Sequence, residues 1–511
     1  MSPQELERSL RFIERTGASD FFPHLIEEDA VKHSWPRISP ILEKIELQSY
    51  IAQPAYKLIA PKQKYAVRPV HLLDFLDLIL YTALMLRLAP AIEKKRLTRD
   101  YVHSYRYNVD PVKGVEFKAD WNAYTSRLWE QLQKHKMMAV ADIVDFFPRI
   151  YLHRLENSLN AVTGDAPEVK ALMRFLGSWS DGTSYGVPIG PVASNVLAEA
   201  LLIEVDDFLH SNNVNFMRYV DDFFIFGNSE AECLQALYLL GTRLHQSQGL
   251  SVNMAKTRIR RSQDVLREMS SPKNGDKALR DRIIQEVFRG DPYVSVDYSR
   301  LTASQKSLIT QLDARKTLDG ALNGDLIDLT GVRFVLNVLS ALQKPDLVDP
   351  ILDNLNRLQP VSDAVARFFR VFDDVDTAQR DKIGRKILEY VCYSGFVPDY
   401  QVIWLLEPFA QSHKWNNLPT LRELARTHKN GYVRRQASLA LGRVADRSAL
   451  LDLRYQLNDA KDWEWRAIVF ACRNLPKDER DAFYKSLPID SNWKADNALA
   501  KAIVEYGKAN S

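Results

Sequence analysis

Apolar positions along the chain change their spacing twice. Residues 1 to about 66 carry a mostly helical pattern, punctuated by Pro23, Pro36, Pro40, Pro54 and Pro61. From Arg68 to about Arg261 helical stretches alternate with short apolar runs: MMAVADI at 137–143, VNFMRYV at 214–220 and FFIFG at 223–227. Runs this short and rich in Val, Ile and Phe predict strands of one sheet with helices packed on it, an α+β arrangement. Beyond Arg261 the strand pattern stops. The stretch SSPKNGDKALRD at 270–281, with Pro272 and Gly275, reads as a linker, and helical periodicity follows it to the end. Within that region VRRQASLALGRV (433–444) lies over EWRAIVFACRNL (464–475) at an offset of 31 residues, Arg435 over Arg466 and Ala440 over Ala471. Such an offset predicts stacked helical hairpins of the HEAT kind. The expected domains are a helical N-terminal extension at 1–67, an α+β body at 68–270 and a helical domain at 271–511.

The remaining bulk properties only narrow this picture. A chain of 511 residues is too long for one ordinary core. The formal charge is +3, so any nucleic-acid binding has to come from a local groove rather than a basic coat. Cys233, Cys392 and Cys472 are far apart, which argues against a zinc knuckle or a disulfide scaffold and fits a reducing cytoplasm. The charged N-terminus does not read as a signal peptide. The most apolar stretch, 72–90, holds Asp74, Asp77 and Arg87 and predicts a buried helix rather than a membrane span.

Three segments carry chemistry. In RYVDDFFIFG (218–227) two apolar runs flank Asp221 and Asp222, so the carboxylates sit at the tip of a tight hairpin. Two buried carboxylates repel and desolvate badly unless a cation neutralises them. In AVADIVDFFPRIY (139–151) a strand ends at Asp142, and a helix is expected near Tyr151. Carboxylates converging from separate elements suit two metal ions roughly 3.5–4 Å apart, the arrangement for phosphoryl transfer. Asp142 and Asp145 also have the plainer option of capping a turn. In SYGVPIGPVASNVLAEALL (184–202) a glycine- and proline-broken loop feeds a helix capped near Ala193 or Ser194, where Gly190 would let backbone approach a nucleotide closely. A second V-D-D, at Asp206 and Asp207, falls inside that helix and reads as a solvated helix end.

The succession DIVDFF (142–147), GVPIGP (186–191), YVDD (219–222) and GLSVNMAKT (249–257) resembles the palm motifs of reverse transcriptases. Residues 68–93 and HSYRY (103–107) resemble their fingers. The resemblance covers about residues 68 to 260. It implies Asp142, Asp221 and Asp222 as catalytic ligands of two Mg2+ ions, with Mn2+ a substitute. It also implies Phe147 as the aromatic gate that excludes a 2′-hydroxyl and so selects dNTPs. Arg106 would hold the triphosphate, and Lys256 would lie near the incoming nucleotide, its plainer reading being a solvated cation. Ile189 departs from the glutamine common in retroviral and intron enzymes, and a helical half follows Lys256. That combination resembles the bacterial abortive-infection (Abi) reverse transcriptases, including prophage-encoded members. This implies a cytoplasmic homo-oligomer in anti-phage defence, making DNA without a template and priming from its own tyrosine. Tyr50, Tyr56 and Tyr65 precede the fingers and are the priming candidates, so the DNA product would stay attached to the chain.

Two other readings compete. A templated enzyme of the retron or group II intron kind shares the palm but is shorter or carries basic maturase segments. A catalytically dead palm serving as a binding scaffold would show a lost aspartate, whereas all three positions are filled. A HEAT-type interaction protein alone leaves the first half unexplained.

Overall fold

The computed structural model describes every residue except 64–65, 111–114, 118–120, 271–273, 289–297, 325, 343–346, 375–376, 416 and 490–496. The chain separates into two compact units that are interleaved along the sequence. The first contains Met1–Ser19, Leu42–Tyr56 and His71–Pro272; the second contains Asp20–Ile41, Lys57–Val70 and Lys273–Ser511. Eight strands are described: β1 (Tyr56–Pro61), β2 (Val67–Leu72), β3 (Tyr107–Asp110), β4 (Val115–Phe117), β5 (Met137–Asp142), β6 (Asn215–Tyr219), β7 (Asp222–Gly227) and β8 (Arg258–Arg261).

The first unit is built on a four-stranded antiparallel sheet in the order β6-β7-β5-β8. Three of its strands, β5, β6 and β7, coincide with the three apolar runs. They are apolar on both faces because both faces are covered, and side chains alternate between them. On one face Met138, Met217 and Phe226 are buried among Tyr124, Leu132 and Val265, with Val140, Phe224 and Tyr219 packed against them. Tyr124 and Leu132 come from the helix Trp121–Lys134 and Val265 from the helix Ser262–Ser270. The other face carries Ala139, Ala141, Phe216, Phe223 and Ile225, all buried. The helix Phe75–Lys95 is long and apolar enough to cross a membrane by composition, yet 83% of its apolar window is buried inside the structure. Its Asp77 accepts hydrogen bonds from the Tyr50 hydroxyl (2.6 Å) and the Gln53 amide (2.7 Å), which satisfy a carboxylate that no bilayer would.

Several expectations need correction. The segment up to 66 is not all helical, since β1 and β2 pair as a two-stranded sheet. Alternation explains it: Leu58 and Ala60 of β1 are buried, and Ile59 between them is exposed. The stretch read as a linker contains the helix Asn274–Glu286, with Gly275 in its first turn, while Pro272 lies outside the described residues. The helix expected to be capped at Ala193 or Ser194 begins at Val192, after Pro191. Ser194 is buried and shares a 3.1 Å hydrogen bond with the Tyr81 hydroxyl.

The second unit is otherwise helical. The two stretches related by the 31-residue offset are the helices Gly431–Val444 and Asp462–Ala471, which pack directly on each other. Gly442 makes the close approach possible, because a Cβ there would fall 2.8 Å from Ala471 Cα. Arg435 is fully buried and makes a bidentate ion pair with Glu27 (2.9 and 2.7 Å), with the Tyr432 and Trp463 rings beside it. That pair fastens residues 20–41 to the helical unit, as does the packing of helix Ile26–His33 on helix Ala498–Ala509.

Candidate functional site

Strand register brings the carboxylates together. Asp142 ends β5 directly opposite Asp222, the first residue of β7, so both lie on the face that carries Val140 and Phe224. Asp221 occupies the turn between β6 and β7, and its carbonyl accepts a hydrogen bond from the Ile143 amide at 3.2 Å. The segment after Gly249 runs alongside. The Asn253 amide donates to the Asp142 carbonyl at 2.7 Å, and the Asn253 side chain donates to Asp142 Oδ2 at 3.2 Å. Lys256 Nζ donates to Asp142 Oδ1 at 2.7 Å.

The electrostatics follow from this crowding. Burial, then the charges of Asp221 and Asp142, push the Asp222 carboxyl up to about 6. Burial works against the Lys256 ammonium, but its bond to Asp142 and the charges of Asp222 and Asp221 hold its pKa above the ordinary lysine value. The site is therefore a negative cluster with one cation already drawn to it. Among the described residues no three His, Cys, Asp or Glu side chains yet converge closely enough to cage an ion.

The turn that aims Asp221 and Asp222 is held from beneath by charges unforeseen in the sequence. Val220 has φ +56°, a left-handed conformation costly for a β-branched residue. Both of its backbone polar groups are tied down: the amide donates to Ser104 Oγ (3.0 Å), and the carbonyl accepts from Arg218 Nη1 (2.8 Å). Arg218 is completely buried and pairs with Asp206 (2.8 and 2.5 Å) and Glu199 (2.9 Å). Glu199 also takes Arg96 (2.7 Å) and the Ser104 hydroxyl (2.5 Å). Two arginines thus balance two carboxylates. Burial opposes the Arg218 charge, but Asp206 and Glu199 outweigh it and raise its pKa. Asp206 is therefore not a solvated helix end; only Asp207 faces water. The available signal was a spacing of seven, which sets Glu199 and Asp206 on one face of an otherwise apolar helix.

The other expected residues are distributed as follows. Phe147 is half-buried beside Phe146, ring centroids 5.2 Å apart, and its carbonyl accepts from the Val187 amide at 3.0 Å. Gly190 has φ +135°, and a Cβ there would lie 2.9 Å from the His71 carbonyl. The His71 amide donates to the Ile189 carbonyl (2.8 Å), and the Ile189 amide donates to His71 Nδ1 (3.1 Å). In this conformation Gly190 serves a close approach to β2. Arg106 is buried, donating to the Leu97 carbonyl (2.7 Å) and pairing with Glu93 (2.8 Å). Burial, then the Arg96 charge, lowers its pKa to about 10. Asp145 is exposed in a left-handed conformation and makes no side-chain cap. Tyr50 donates to Asp77, Tyr56 is half-buried at the start of β1, and Tyr65 lies outside the described residues.

Paired carboxylates thus stand at adjacent strand ends above a braced hairpin. The family model for reverse transcriptase (RNA-dependent DNA polymerase) matches residues 60–279, which contain Asp142, Asp221, Asp222 and Lys256, so this part of the chain is similar to reverse transcriptases. No curated protein matches the chain. Among solved structures, a telomerase from Candida albicans in complex with a fragment of telomeric RNA aligns at 13% identity and TM-score 0.31. The alignment covers 73% of this chain and 70% of that one, and at such a score it carries nothing further.

Two predictions follow from the charges. Because the folded chain raises the Asp222 pKa from 3.8 to about 6, its ionised form opposes folding. That penalty is absent below about pH 4, grows through about pH 6 and is full at neutral pH. Asp222→Asn should therefore stabilise the metal-free protein at neutral pH by on the order of 1–2 kcal/mol after solvent screening. Denaturant melts across pH should show the gain fading toward about pH 4; a constant gain would contradict the cause. Asp206→Asn leaves Arg218 under-balanced in a closed interior and should cost about 3 kcal/mol. It should also reduce nucleotide incorporation at temperatures where the variant remains folded, since Arg218 braces the turn.

Proposed function

We propose that this chain is a DNA polymerase joining dNTPs under two divalent cations. We further propose that it is of the prophage-encoded abortive-infection kind, acting as a cytoplasmic homo-oligomer in bacterial anti-phage defence through template-independent, protein-primed synthesis. The observation that carries the polymerase reading is the Asp142–Asp222 pairing across β5 and β7 with Asp221 in the adjoining turn. The donors are all carboxylate oxygens, which suits Mg2+ and Mn2+ rather than softer metals. Burial, then the charges of Asp221 and Asp142, raise the Asp222 pKa, and a cation bound beside it would relieve the charge part of that cost. Bound there, the ions would supply Lewis-acid stabilisation of the attacking and leaving oxygens.

The chain's own groups do the rest. Asp142, Asp221 and Asp222 would hold the cations, and Lys256, charged beside Asp142, has the chemistry to take a triphosphate oxygen. Phe147 would close the pocket against a 2′-hydroxyl. Arg106 would take a phosphate only after leaving Glu93 and the Leu97 carbonyl. The abortive-infection assignment is supported by the palm being joined to a helical unit that takes residues 273–511. Protein priming needs a tyrosine hydroxyl in place of a primer 3′-hydroxyl. Burial, then the Asp77 charge, raises the Tyr50 pKa, which disfavours its phenolate and leaves Tyr56 the better of the two described candidates.

Purified protein with Mg2+ and labelled dNTPs, without nucleic acid, should yield label that survives boiling in detergent and is released by protease. Asp221→Ala with Asp222→Ala should abolish it while leaving the fold. Undiminished incorporation by that double variant would overturn the site. Label appearing only with primer and template, as free DNA, would make this a conventional templated enzyme.

Sugar choice tests Phe147. The wild type should strongly prefer dNTPs, and Phe147→Ala should raise ribonucleotide use by about tenfold or more, a loss of steric discrimination of over 1 kcal/mol. Equal use of both sugars by the wild type would reduce Phe147 to a packing residue.

A further inference from the structure

The helical unit contains a cleft of ≈ 990 Å³ that the palm chemistry does not use. One wall is the β1–β2 hairpin, and the others are the loops around Leu326, Arg357, Phe396 and Lys429. All of its lining belongs to the second unit. Two properties set it apart from an ordinary surface crease. Four large apolar side chains are exposed in it: Ile59, Val67, Leu326 and Phe396, the last 81% exposed. Bare apolar groups gathered in one place mark a binding surface rather than scattered surface residues. Its charges are also mostly positive, because Lys57, Lys62, Arg357 and Lys429 line it against one acid among its lining residues, Asp399, which accepts a hydrogen bond from Asn430 at 3.0 Å.

Alternation along β1 produces the mixture. Leu58 and Ala60 turn into the core, so Lys57 and Ile59 are displayed together on the opposite face. Cations interleaved with an exposed aromatic ring are the chemistry that takes a single polynucleotide strand: phosphates meet the ammonium and guanidinium groups, and a base stacks on the ring. An apolar protein partner would gain little from four cations around the same cleft, and a duplex would have no base free to stack.

We propose that this cleft binds single-stranded DNA, the strand being the product of the palm. The identity of the strand rests on the polymerase reading above; the cleft's chemistry does not.

The test is fluorescence anisotropy of a labelled oligothymidine of about a dozen residues, titrated with the full chain in the absence of dNTPs. Phe396→Ala, at an exposed position that does not threaten folding, should weaken binding about tenfold through lost stacking. Lys62→Ala with Lys429→Ala should flatten the plot of log affinity against log salt by about 1.4, two phosphate contacts' worth on a single strand. Unchanged affinity and slope in both variants, or no binding by the wild type, would overturn the proposal. So would the same variants dissociating an oligomer in light scattering while leaving DNA binding intact, which would make the cleft a contact with a second copy. Incorporation measured in parallel separates the two readings. Wild-type incorporation with no cleft-dependent binding sinks only this inference; cleft-dependent binding without incorporation sinks only the polymerase reading.

Discussion

Everything at the palm depends on one buried guanidinium. Arg218 is removed from water in β6, and that is tolerable only because Asp206 and Glu199 meet it with short, paired hydrogen bonds and Arg96 restores neutrality. A buried charge network of this kind, which continues from Arg96 through Glu93 to Arg106, contributes little net stability compared with apolar packing. What it does is fix a geometry, since each member can be satisfied only where it stands. Its output is mechanical: Arg218 and Ser104 together hold the amide and carbonyl of Val220 and keep that residue in a conformation it would not adopt alone. The next two residues are Asp221 and Asp222.

Above the network the energetics reverse. Below the hairpin, opposite charges cancel; at its tip, three carboxylates crowd a small region, and Lys256 pairs with Asp142. Burial, and then the charges of Asp221 and Asp142, raise the pKa of Asp222. A buried ion network thus holds the hairpin that presents these carboxylates against their own repulsion. The same logic covers the glycine loop, where Gly190 admits the close approach of the His71 carbonyl and so ties residues 186–191 to the strand before the long buried helix.

The helical unit solves a separate problem by similar means. The buried Arg435–Glu27 pair and the Gly442–Ala471 approach both demand exact neighbours. One binds an N-terminal segment to helices about four hundred residues later in the chain, and the other lets two related helices touch.

The sequence by itself determined the local elements and the chemistry of the tip. Apolar runs at 137–143, 214–220 and 223–227 are strands because short Val-, Ile- and Phe-rich stretches covered on both faces have no better structure. The aspartates at their ends stand where the residue order put them. The buried helix 75–95 was equally legible from its unbroken apolar character. Tertiary structure alone decided which charges are paired. Asp206 and Asp207 look alike in the sequence, yet one is sealed against Arg218 and the other is in water, because helix rotation against a sheet face depends on residues from β6 and from the segment around Ser104. The strands β1 and β2, the helix that replaced an expected linker, and the union of residues 20–41 with the C-terminal helices were hidden for the same reason. Periodicity reports which face of an element is apolar, whereas the partner that covers that face is chosen by packing between distant segments.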